Sequence, residues 1–204
     1  MKKRITLFVG IVAVGCLLGL CASESSTSAG LKYSRFSAKF HENGQLKRCR
    51  LSGTQEVNGR KCKRWLGFFE DGKVKQFQLA DNAKIQVISV PAGSTVFLHP
   101  DGKLKTIWFS KDTTIKGVTV RGGAKVSTGF HANGRVSACF LRDAAVFDGV
   151  PCESSLMKPV FFHPNGKLKQ AALSENATID GINFKQGAVV RLDEKGTLVK
   201  HAQP

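Results

Sequence analysis

The stretch Phe161–Val190, FFHPNGKLKQAALSENATIDGINFKQGAVV, decides the fold. An aromatic pair runs into a turn, Asn165-Gly166 reverses the chain, and Leu168, Lys169 and Leu173 lead away from it. Asp180-Gly181 then reverses it again. An Asx-Gly pair between β-branched or aromatic residues is a strong hairpin signal, because both residues tolerate the left-handed backbone of a tight loop. The stretch therefore reads as two hairpins in succession.

The same text recurs along the chain. Glycines at Gly44, Gly72, Gly102, Gly134, Gly166 and Gly196 are spaced by 28, 30, 32, 32 and 30 residues. Four positions before each stands Phe40, Phe68, Leu98, Phe130, Phe162 or Leu192, and two after stands Leu46, Val74, Leu104, Val136, Leu168 or Leu198. With a type I turn and a Gly bulge between them, these two positions face each other across a hairpin. A second reversal follows in four copies, at Asn58-Gly59, Lys116-Gly117, Asp148-Gly149 and Asp180-Gly181. The second copy has Gln86-Val87 there, so it either runs straight through or turns differently.

No helical period survives beyond the first residues, and a fixed period is the mark of a repeat architecture. The expected fold is all-β: an antiparallel meander of five to six hairpin repeats of about 30 residues, elongated or partly rolled, with a β-solenoid as the alternative.

Cysteines test the register. Cys49 and Cys139 lie five after their glycines, and Cys62 and Cys152 lie eighteen after. The other copies fill both slots with apolar residues: Phe77 and Val90, Ile107 and Val120, Ala171 and Phe184. Two slots that change together are expected to touch across adjacent strands. In an exported protein that contact would oxidise, giving Cys49–Cys62 and Cys139–Cys152.

Export is expected from the first residues. Lys2, Lys3 and Arg4 precede the uncharged apolar run from Ile5 to Leu20, and small and polar residues follow. Residues 1–22 are read as the signal, 23–34 as a Ser-rich linker and 35–204 as the β-repeat domain. Cleavage after Ala22, lipidation at Cys21 or Cys16, and an uncleaved anchor all fit the local sequence. The destination is the periplasm, cell envelope or outer membrane, or secretion. Residues 1–22 hold three of the 31 Lys and Arg and none of the 15 Asp and Glu, so without them the net charge is 28 − 15 = +13. Such an excess suits acidic partners or a self-repelling, soluble surface.

The pattern leaves little room for chemistry. His41, His99, His131 and His163 share the slot three before the glycine. Without a carboxylate in the pattern, and with slots several strands apart, they are expected to be exposed rings beside turns, and no metal or other cofactor is expected. No Ser, His and acid set stands out, so catalysis is not expected.

One copy is unusual in charge. Arg48 and Arg50 flank Cys49, while Lys61 and Lys63 flank Cys62, with Trp65 two further on. If the cysteines face inward, strand alternation turns these residues outward. The same positions of the second copy are Gln76, Gln78, Ser89 and Pro91, so the fold does not require the charge. A face carrying Arg48, Arg50, Lys61, Lys63 and Trp65 could bind a phosphate- or carboxylate-rich polymer, against the plainer reading of a solvated surface. Trp108 takes the outward slot of the third copy, where it either extends that face or covers a neighbouring strand.

At FHPNGKLK, Phe162–Lys169, the chain resembles secreted bacterial proteins built of short β-hairpin repeats, and more distantly the MORN-variant, antitoxin-like repeat family. The resemblance covers Phe40 to the C-terminus. It implies a hairpin-repeat scaffold and carries over no catalytic residues. The sequence therefore leads to a non-catalytic envelope protein that binds an envelope protein or an anionic polymer, with a hydrolase of envelope polymer as the remaining alternative, with no specific nucleic acid and with a membrane tether at the N-terminus if the anchor is kept.

Overall fold

The computed structural model describes residues 30–124 and 126–199. The export segment, residues 1–22, and residues 23–29 of the Ser-rich linker lie outside them. The architecture is an open antiparallel meander in a 12-stranded sheet. Its main path runs in chain order: Lys39–Phe40, Leu46–Arg50, Arg60–Phe68, Val74–Leu79, Thr95–Leu98, Leu104–Trp108, Thr128–Phe130, Val136–Cys139, Val160–Phe162, Leu168–Ala172 and Val189–Arg191. Every pairing is antiparallel between successive strands of this path, which excludes the solenoid. Ahead of Arg35, Tyr33 bridges Leu51.

Each turn of the meander is made as its residues dictate. The six repeat glycines hold φ of 79–93°, and the amide of Gly44 closes on the His41 carbonyl at 3.0 Å. Phe40 then faces Leu46, Phe68 faces Val74, Leu98 faces Leu104, Phe130 faces Val136 and Phe162 faces Leu168. One residue past each of these pairs the register slips by one, a bulge in the leaving strand.

The second reversals form a second layer. Copies two to five leave the sheet to make small hairpins: Ala83–Ile85 with Ile88–Val90, Thr113–Ile115 with Val118–Val120, Ala145–Phe147 with Val150–Cys152, and Ala177–Ile179 with Ile182–Phe184. At the tips, Lys116, Asp148 and Asp180 and the glycines after them all take positive φ, as a type I′ turn requires. The second copy turns as well. Gln86 carries the left-handed backbone at φ 53°, with exposed Val87 in place of glycine. In the first copy the hairpin merges with the sheet, because Gln55–Val57 pairs with the start of the nine-residue strand Arg60–Phe68.

The core lies between the layers. Val96, Leu104, Ile107 and Leu168 point in from the sheet, and Ile85, Val90, Val120 and Val150 point in from the hairpins. Burying each such side chain stabilises the fold by about 1.5–3 kcal/mol.

The cysteines correct the expected register. Cys49 faces Leu66, and Cys62 faces Gln55 and Leu79, so the two are not cross-strand partners. Cys139 faces Val160 in the sheet, while Cys152 faces Ala145 in a hairpin. In the fourth copy the two slots therefore belong to opposite layers and share the core between them. All four are buried free thiols in this structure. Burial pushes the thiols of Cys49, Cys62 and Cys152 up to about 11 and that of Cys139 to about 12, with the charge of Cys152 adding to the rise at Cys139.

The histidines differ from expectation too. Each is half-buried, and three reach the next copy: His41 Nε2 lies 3.1 Å from the Phe68 carbonyl, His131 Nε2 2.9 Å from Phe162, and His163 Nε2 2.9 Å from Leu192. The neighbouring asparagines repeat the stitch. Asn43, Asn133 and Asn165 donate to the carbonyls of Glu70, Pro164 and Glu194 at 2.7–2.9 Å. These side chains tie one hairpin turn to the next, a use that the turn sequence alone does not disclose.

Candidate binding face

One face of the long sheet meets the hairpins, and the other is open. Cross-strand pairing writes out the residues of the open face. One row runs Arg48, Gly67, Gln76, Phe97, Thr106, Gly129, Ala138, Phe161, Gln170, Arg191. A second row, two residues along, pairs Arg50 with Trp65 and carries Lys63 through Gln78 and Thr95 to Trp108. No position in either row is a carboxylate.

The structure brings four of the five predicted residues together. Arg48 and Arg50 are exposed on one strand, and Trp65 on the next stands opposite Arg50. The Arg48 guanidinium lies over the Trp65 ring, 4.7 Å from its centre, in a cation–π contact. Gly67 stands directly opposite Arg48. Lys63 is half-buried opposite Gln78. The strand bends between Lys63 and Leu66, where Arg64 takes φ 60° and the register with the following strand slips. That bulge sets Trp65 beside the arginines. Lys61 stands apart: it is exposed and pairs on the surface with Asp81 at 3.2 Å.

Trp108 belongs to this face and also covers a neighbour. Its ring packs on Phe97 with centres 4.8 Å apart, and it stays 37% exposed, close to the 39% of Trp65. Trp65, Phe97, Trp108 and Phe161 give the face aromatic surface along its length, with Gln76 and Gln170 between as hydrogen-bonding groups.

A further set is hidden from strand alternation. The bulge position, three after each glycine, holds Lys47, Lys75, Lys105, Ser137 and Lys169, and the four lysines are exposed. The bulge turns each one to the same side as the residue after it. With two sheet strands per copy, the slot recurs about every 10 Å across the sheet. The sequence carries the signal as a repeated Leu/Val-Lys pair after the turn, but only the bulge reveals that the lysine joins the open face.

Among the described residues, no helix is long and apolar enough to cross a membrane. Comparison with known proteins gives no family. No family model matches the chain, and no curated protein matches it in sequence. Among solved structures there is a likeness to "ASR Alternansucrase in complex with isomaltononaose", at 17% identity and a TM-score of 0.15, covering 80% of this chain and 14% of that one. A likeness of that degree carries no argument about fold or function.

Proposed function

We propose that the protein is a non-catalytic, exported envelope scaffold that binds an extended anionic polymer, such as an acidic glycan, on its open sheet face. The observation that supports this is the pair of carboxylate-free rows that holds Arg48, Arg50 and Lys63 around Trp65. Guanidinium groups recognise carboxylate, sulfate and phosphate through paired hydrogen bonds, and an indole offers a flat surface to a sugar ring. The lysines at the bulges continue the positive charge across the strands. A polymer laid across the sheet would meet one of them about every 10 Å over the first three copies, then pass Ser137 before reaching Lys169.

The test is retention on immobilised heparin and on immobilised lipopolysaccharide as salt is raised. Replacing Arg48, Arg50 and Lys63 by Glu should shift elution to much lower salt while circular dichroism stays that of the folded sheet. Changing the bulge lysines to Gln should flatten the salt dependence, by about one unit of log–log slope for each lysine that pairs with the polymer. Retention that ignores both sets of substitutions removes this reading.

A further inference from the structure

The two layers part beside the third hairpin. Between the hairpin tips of copies two and three and the sheet turns of copies four and five lies an open cleft of about 650 Å³. Ile88, Ile115, Val118 and Val120 line it from the hairpins, with Val136 and Phe162 from the sheet. Lys116 and Arg135 also line it, and both are exposed, so the charge sits where the cleft meets solvent. The volume falls within the range of about 300–1,000 Å³ usual for small-molecule sites.

The hairpin tips that follow are fastened where the third is not. In the fourth copy, Asp148 at the hairpin tip accepts the Leu168 amide of the next sheet turn at 2.6 Å, and in the fifth Asp180 accepts that of Leu198 at 2.6 Å. The same slot of the third copy is Lys116, which brings no acceptor to Val136. Val136 is itself a smaller residue than the leucines at the matching positions of most other copies. The third hairpin is thus left untied over a thinner part of the sheet.

We propose that this cleft binds a single-chain anionic amphiphile, with its hydrocarbon against the valine, isoleucine and phenylalanine walls and its head group between Lys116 and Arg135. Charge complementarity selects the occupant: the walls are mostly apolar, with Ser89, Thr114 and Asn165 among them, and the two charges at the mouth are both positive, Arg135 also donating to the Asn165 carbonyl. The site lies between the layers, away from the open sheet face, so it stands or falls separately from polymer binding.

Titration of the folded protein with a dansyl-labelled fatty acid, followed by displacement with palmitate, octanoate or cetyl alcohol, tests it. Palmitate should displace the probe saturably. Octanoate, with fewer methylenes to bury, should do so roughly a thousandfold more weakly or worse. Cetyl alcohol should be weaker than palmitate by tenfold or so, a difference of about 1.4 kcal/mol. Val118→Phe, which fills the cleft, and Lys116→Asp, which supplies the missing tie and reverses the charge, should each abolish displacement. Should a variant fail to fold, photo-crosslinking of a diazirine palmitate to the unaltered protein gives the answer: peptides holding Ile115–Val120 and Val136 should carry the label. Absence of saturable binding, label confined to other peptides, or occupancy of the cleft by a second copy in a concentration-dependent dimer would overturn the proposal.

Discussion

In the fourth copy, Asp148 fastens the hairpin tip to the sheet, and the inward slots of the two layers hold Cys139 and Cys152. In the third copy the same slots hold Lys116, Ile107 and Val120, and the layers part there into a cleft. Both copies share turn, bulge and strand lengths to within a residue or so. The difference teaches that the repeat needs only its turns and its apolar face to form, while a few side chains decide how tightly its second layer closes. A closed copy is a structural unit, and an open one can hold something.

The largest effect that sharpens this contrast is oxidation. We propose that Cys139 bonds Cys152 through the core of the fourth copy, and Cys49 bonds Cys62 in the first. Each bond closes a loop of about 14 residues and should stabilise the folded state by roughly 3 kcal/mol. Non-reducing peptide mapping should recover these two pairs and no crossed ones. The reduced protein carries a second signature. Its thiols ionise only at about 11 to 12 when folded, against 9.0 for an ordinary thiol, so the neutral form is favoured by folding. Their contribution is complete below pH 9 and is lost as pH rises from there through 11 to 12, by up to about 1.4 kcal/mol per thiol per pH unit. Urea midpoints at pH 8 and pH 10 should diverge in reductant and stay closer together without it. Equal divergence in both conditions would mean that the thiols do not pair.

Next in size is the tie itself. Asp148→Ala removes a carboxylate from a backbone amide and should cost about 1.5–3 kcal/mol, the range for hydrogen bonds to charged groups. Hydrogen exchange at the Leu168 amide should speed up with it. Lys116→Asp is the mirror experiment and should protect the Val136 amide in the third copy. If the two substitutions leave both amides unchanged, the tips are held by packing alone and the contrast between the copies has another origin.

Much of the fold is legible because the repeat averages over its own noise. Six glycines in register, each with an apolar residue four before and two after, fix the hairpin pairs that the structure contains. Four of the five candidate site residues come together because strand alternation is a local rule. Lys61 does not join them, since its partner Asp81 lies beyond the following strand and nothing in the spacing ties the two. The second layer is out of reach of the same rule. Alternation says which residues are buried, but not whether the strand bearing them continues the sheet or folds over it. For the same reason the spacing puts the cysteine slots on neighbouring strands when, in the fourth copy, they lie in opposite layers.

The smallest expected effect concerns the stitches between turns. His131 Nε2 must carry the proton to serve the Phe162 carbonyl at 2.9 Å, and protonation of the ring leaves that donor in place. The second copy has Phe69 in this slot, with Lys75 5.5 Å from the centre of its ring, so the site accepts an aromatic side chain that has no donor. His131→Phe therefore preserves the bulk and deletes only the hydrogen bond. It should lower stability by about 1 kcal/mol, the net worth of one such bond, and faster exchange should be confined to the turns of copies four and five. A larger loss, or one that spreads into the hairpin layer, would mean that the histidine row supports the packing of the sheet and does more than join its turns.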